Sequence, residues 1–155
     1  MRSITLFVLS IVIGSAFACK CLPLKPNDAY CKADWVSHVK IRLRSTKQPN
    51  SSDPNRPGLN HIKYDVEHVK VFKKPNDVQT LPTQIFTPSE SAACGLILDT
   101  GNEYLLAGRM NNGSLTTVIC GQVLPEQPVE NASGVVLQWS QVPKDLAQAI
   151  PNFKC

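Results

Sequence analysis

The chain opens with apolar positions and almost no polar interruption from Ile4 to Ile13, then changes character at Cys19. Beyond that point the apolar residues are phased. In "DWVSHVKIRLR", Trp35, Val39, Ile41 and Leu43 share one parity, while His38, Lys40, Arg42 and Arg44 share the other. Alternation of this kind predicts a half-buried strand. In "HIKYDVEHVKVFKK" (61–74), Ile62, Tyr64 and Val66 share a parity, but Val69 and Val71 take the opposite one. A slip of one residue predicts a β-bulge near Glu67-His68, a device that lets a sheet curl. "CGLILD" (94–99) and "EYLLAGRM" (103–110) predict two short apolar strands. Asn112-Gly113 between apolar runs predicts a tight hairpin.

Helical period is confined to two short stretches. "PNDAYCKADWV" (26–36) has Pro26-Asn27 to start a helix and Asp28 to suit its first turn. "VPKDLAQAIP" (142–151) has Pro143 at its start, Leu146, Ala149 and Ile150 as an apolar stripe, and Pro151 as its stop. Residues 45–60 are Ser-, Asn- and Pro-rich with few apolar positions, the composition of an exposed loop. About five strands, a hairpin and a C-terminal helix predict a mainly β fold, a small five-stranded barrel of the OB type.

The leader changes the setting of this fold. One early positive charge, a short apolar core and Ala16-Phe17-Ala18 predict a signal peptide over residues 1–18, with cleavage after Ala18. The apolar run is shorter than the roughly 20 residues a membrane span needs. Cys19 then becomes the first residue of a single secreted domain, 19–155. All six cysteines lie in it: Cys19, Cys21, Cys31, Cys94, Cys120 and Cys155. An even count in an exported chain predicts three disulfides, and spacing alone leaves fifteen pairings open. The formal net charge of +4 is too small to argue for nucleic acid. The basic residues are expected on a solvated sheet face, with weak affinity for acidic matrix polysaccharide as the second reading. Asn50, Asn112 and Asn131 each begin an Asn-x-Ser triplet.

An enzyme is disfavoured by the same residues. His38, His61 and His68 show no His-Glu-x-x-His spacing and are expected at the surface. With every cysteine committed to a disulfide, no thiol nucleophile is left.

The pattern Cys19-x-Cys21-x-Pro23-x-x-Pro26-x-x-x-Tyr30-Cys31, directly after the expected cut, resembles the amino-terminal signature of the tissue inhibitors of metalloproteinases. That signature opens Cys-x-Cys-x-Pro and closes Phe-Cys at the same distance. "CKADWV" resembles the family's Cys-x-x-Asp-Leu-Val. "SAACG" is similar to the segment around its fourth cysteine, and "YLLAGRMNNGSLTTVIC" to its Phe-Leu-Ile-Ala-Gly-Lys…Cys hairpin. The resemblance implies the family's inhibitory (netrin-like) barrel, with pairs Cys19–Cys94, Cys21–Cys120 and Cys31–Cys155. It implies inhibition of zinc metalloendopeptidases by a monomer with no cofactor of its own. The α-amine and carbonyl of Cys19 would bind the partner enzyme's zinc, residues Cys19, Lys20, Cys21 and Leu22 would enter its cleft, and Ser91 and Ala92 would lie alongside. Lys20 departs from the family, which has Thr or Ser there. Lys25 and Asn27 replace His and Gln, and Tyr30 replaces Phe. The competing reading is a netrin-like module that binds a matrix or receptor partner and inhibits nothing.

Overall fold

The computed structural model describes residues 19, 21–46, 62–129 and 136–155. Five strands close into a barrel in the order β1-β2-β3-β5-β4. They are β1 (Trp35–Ser45), β2 (Ile62–Lys73), β3 (Gln84–Thr87), β4 (Glu103–Asn111) and β5 (Ser114–Thr116). All neighbours run antiparallel except β3 and β5, which pair parallel through Ile85↔Leu115 and Phe86↔Thr116. The expected barrel is therefore present, with two short helices packed outside it: α1 (Pro26–Lys32) and α2 (Lys144–Ala149).

Curvature comes from irregular pairing of the two long strands. Opposite β1, the register skips Phe72 and then Val69 on β2, and opposite β2 it skips Arg42 on β1. The skip at Val69, between His38↔Lys70 and Val39↔His68, is the bulge expected near Glu67-His68. The skip at Arg42 was not legible in the sequence, and it turns Leu43 away from the core. Leu43 is 55% exposed, against the expectation that it shares the buried parity of Ile41. An extra residue reverses which face every later side chain takes.

The barrel interior is filled by Trp35, Val39, Ile41, Tyr64, Ile85, Leu106 and Leu115. A second core lies outside the sheet, where Val36, Leu105 and Ala107 meet Ala29 and Tyr30 of α1 and Leu146 and Ile150 of the C-terminal segment. Residues 35–39 are thus buried on both faces, and β1 is half-buried only beyond them. Gly108 is needed for this packing: a Cβ there would lie 2.0 Å from the Thr116 carbonyl oxygen and 2.8 Å from the Trp35 ring.

The hairpin is as expected. Asn111 pairs with Ser114 across Asn112 (φ 48°) and Gly113 (φ 76°), two positive φ values of the kind a two-residue turn demands. Both helices are shorter than the sequence suggests. The first ends at Lys32, and the second ends at Ala149 and passes into a 3-10 turn, Ile150–Asn152, around Pro151. Two further expectations fail. Residues 94–99 form no strand, and β3 replaces them as the fifth member of the barrel. The stretch 94–99 keeps its alternation, with Leu96 and Leu98 buried and Ile97 63% exposed. Its amides, however, bond to side-chain oxygens. Leu96 N donates to Thr87 Oγ1 (3.0 Å), Leu98 N to Tyr64 Oη (2.9 Å) and Asp99 N to Tyr104 Oη (3.1 Å). An extended chain held by hydroxyls shows a strand's period without its ladder. The loop expected at 45–60 falls outside the described residues from residue 47 onward.

Candidate functional site

Among the described residues before α1, Cys19 and residues 21–25 form no helix or strand, so their position depends on what they are tied to. Cys19 is bonded to Cys94 and Cys21 to Cys120, with Cα–Cα distances of 5.2 Å in each pair. Cys31 is bonded to Cys155 at 5.3 Å. These are the three pairs the resemblance implies. The first two disulfides touch: Cys120 Sγ lies 3.5 Å from Cys19 Sγ and 4.0 Å from Cys94 Sγ. These three sulfurs lie within 4.8 Å of one another, a spacing that could suit a metal, but each is already covalently paired. A disulfide sulfur is not the thiolate that binds metal ions.

Each anchor is itself pinned to the barrel. Cys94 follows a single 3-10 turn, Ser91–Ala93, and sits at φ 60°, a left-handed conformation uncommon outside Gly, Asn and Asp. Its carbonyl accepts from Ile119 N (2.8 Å). The next residue must be glycine, because a Cβ on Gly95 would lie 1.9 Å from the Pro88 carbonyl oxygen. Beyond it, the Tyr64 hydroxyl donates to Leu96 O (3.0 Å) and accepts from Leu98 N. Burial pushes the Tyr64 phenol above its ordinary pKa, so it remains a donor.

Cys120 is held by Gln122, which is 5% exposed. Its Oε1 accepts from Ala107 N (2.9 Å), and its Nε2 lies within bonding distance of the carbonyls of Ala107 (3.0 Å) and Val118 (2.6 Å). The amide thus replaces a missing strand neighbour for β4 and locks residues 118–122 beside it. Sequence reasoning missed Tyr64, Thr87 and Gln122 as positioning residues. The only signal was a polar residue inside an otherwise apolar stretch, "VICGQVL", which spacing cannot separate from a surface glutamine.

The outward side of this frame is exposed. Leu22 is 87% exposed, Ala92 is exposed, and Cys19 and Cys21 are partly covered. Of the six residues expected to meet a protease, Cys19, Cys21 and Leu22 are thus carried on one stapled segment. Ala92 lies on the turn leading into Cys94, to which Cys19 is bonded. Ser91 begins that turn, and Lys20 lies outside the described residues. A groove of about 350 Å³ beside this frame is lined by Leu24, Ala33, Gly108, Thr117 and Cys120, among others.

The two described histidines, His38 and His68, are not at the open surface where the sequence suggests. His38 is 6% exposed, stacked on Trp139 at 3.9 Å, with Nε2 2.7 Å from Glu103 Oε2. It sits on the polar parity, but the second core covers that face too. His68 is half-buried. Its Nε2 donates to Pro82 O (2.9 Å), and its Nδ1 lies 2.9 Å from Ser37 Oγ. Burial lowers its pKa, opposed in part by the Pro82 carbonyl. His61 lies outside the described residues. The two described rings have structural partners and do not converge on a site.

A model of the tissue inhibitor of metalloproteinase family matches residues 17–137. A Caenorhabditis elegans protein, tag-225, whose name is that of a metalloproteinase inhibitor, is 46% identical over 154 residues, covering 99% of this chain and 98% of its own. Metalloproteinase inhibitor 2 of Rattus norvegicus is 33% identical over 125 residues, and that of Canis lupus familiaris 34%. In both mammalian cases the match spans 77% of this chain and 54% of theirs, so the chain corresponds to about half of those proteins. Disulfide frame, closed barrel and sequence agree, and the chain belongs to the tissue inhibitor of metalloproteinase family.

Proposed function

We propose that the protein is a secreted inhibitor of zinc metalloendopeptidases that acts through the amine and carbonyl of Cys19. The observation that carries this reading is the stapled amino-terminal segment, fixed by two touching disulfides with its outer side exposed. Its relatives carry the name of metalloproteinase inhibitors, and no helix among the described residues is long and apolar enough to cross a membrane. Cleavage after Ala18 would free the α-amine of Cys19. That nitrogen and the carbonyl oxygen of the same residue are two carbons apart, so together they can close a five-membered ring on one metal ion. A protease's catalytic zinc keeps one position open for water. By occupying it, Cys19 would displace the nucleophile from the target enzyme. The amine must be neutral to donate. With an ordinary pKa of about 7.7–8.0, losing its proton near pH 7 costs only about 1 kcal/mol.

The disulfides supply what a free peptide lacks. Ordering costs roughly 1–2 kcal/mol per residue fixed, and a segment already held pays less of it on binding. Leu22 and Ala92 would extend the contact along the cleft on either side of Cys19. Lys20 would direct selectivity: a cation entering an apolar pocket is costly unless paired, so the target pocket should be acidic or open to water. The test is an inhibition panel of zinc endopeptidases with refolded protein beginning at Cys19. Inhibition of at least one enzyme, strongest where the pocket is acidic, is expected. No inhibition across the panel would leave the netrin-like binding module as the better reading.

A further inference from the structure

We propose that Asn112, at the tip of the β4–β5 hairpin, is an N-glycosylation site. The inference rests on the reading that the chain is exported. Asn112-Gly113-Ser114 is an acceptor triplet, but triplets occur by chance, and the fold decides whether a sugar fits. Glycan addition demands an asparagine whose amide is free and whose surroundings admit a bulky polar group after folding. Asn112 meets both demands. It is exposed, as are Gly113 and Ser114. Its side chain makes no hydrogen bond among the described residues, whereas Asn27 and Asn152 spend theirs on backbone carbonyls.

Turn geometry adds to this. With φ of 48° at Asn112 and 76° at Gly113, the chain reverses over two residues, so both stand clear of the barrel. Directly behind them Leu115 is fully buried and Asn111 pairs with Ser114, which fixes the base of the hairpin. Asn112 borders an open groove of about 1000 Å³ lined by Lys32, Asp34, Lys73, Asp77 and Arg109, among others. Those charged groups offer hydrogen bonds to a first sugar. The chemistry is a transfer from a lipid pyrophosphate-linked oligosaccharide. Asn112 Nδ2 bonds to the anomeric carbon, the bond from that carbon to the pyrophosphate oxygen breaks, the lipid pyrophosphate leaves, and the amide gives up one proton.

The test is peptide mapping of protein secreted from eukaryotic cells with its own leader. The peptide holding Asn112 should carry a glycan, and peptide N-glycosidase should remove it and leave aspartate at that position. Ser114→Ala, which keeps the Asn-Gly turn, should abolish the modification, and Ser114→Thr should restore it. Secreted protein beginning at Cys19 with unmodified Asn112 would overturn this inference alone. Recovery of the chain only from inside the cell with its leader attached would overturn the export reading along with it.

Discussion

Gln122 shows how much one side chain can fix. It meets both the N–H and the C=O of Ala107 in a place where water does not reach. Leaving a buried donor or acceptor unpaired costs about 1–3 kcal/mol per group. Gln122→Leu should therefore lower stability by about 3 kcal/mol in urea denaturation, and it should weaken inhibition, because residues 118–122 carry Cys120. His68 makes a pH-dependent contribution. Its pKa is lowered in the fold from an unfolded value of 6.5, chiefly by burial. The unfolded chain then binds the proton first, so stability is fully present above pH 6.5 and falls as the pH drops below it. Denaturation midpoints measured from pH 7.5 to pH 5 should fall more steeply for the wild type than for His68→Gln. Neither residue's role could be read from the sequence. A glutamine and a histidine among charged or apolar neighbours look the same whether they face water or a neighbouring carbonyl.

At the scale of elements, the pieces are held by side chains that reach their ends. Lys73, the last residue of β2, donates to the carbonyls of Tyr30 (2.9 Å) and Cys31 (3.0 Å) in the last turn of α1. Its Nζ also stands over the Tyr30 ring, 5.2 Å from the centroid. A cation at a helix C-terminus satisfies orphan carbonyls and complements the dipole. Burial nonetheless lowers its pKa, with Asp34 acting in the opposite sense. Lys73→Met should cost about 1 kcal/mol, read as a lowered thermal midpoint at pH 7. Periodicity made β1, β2, β4 and the Asn112-Gly113 turn legible, because each alternates over enough residues to show a phase. β3 spans four residues between prolines, too short to show one. Residues 94–99 misled for the opposite reason, since their alternation comes from hydroxyl partners and not from a neighbouring strand. The bulge at Val69 was visible as a phase slip, while that at Arg42 was hidden because the alternation of apolar and basic residues runs unbroken through Ile41-Arg42-Leu43-Arg44.

For the whole molecule, the barrel acts as a mount for the segment that carries Cys19 and Cys21. Hydroxyls from β2 and β3 hold residues 96–98, that stretch holds Cys94, and Cys94 holds Cys19. The C-terminus is tied back to α1 by Cys31–Cys155, by Asn27 bonded to both backbone groups of Lys154, and by Tyr30 edge-on to Phe153 at 5.4 Å. The pairing of cysteines came from family resemblance and not from spacing, which left fifteen choices. The site was legible to the same extent: its cysteines by resemblance, its supports by structure alone. The measurement that tests the central claim most directly compares inhibition constants of two refolded proteins against one susceptible zinc endopeptidase. One begins at Cys19 and the other carries a single extra alanine before it. A loss of about 100-fold or more on extension, about 2.7 kcal/mol, is expected if the amine of Cys19 is a zinc ligand. Equal constants for the two proteins would contradict it.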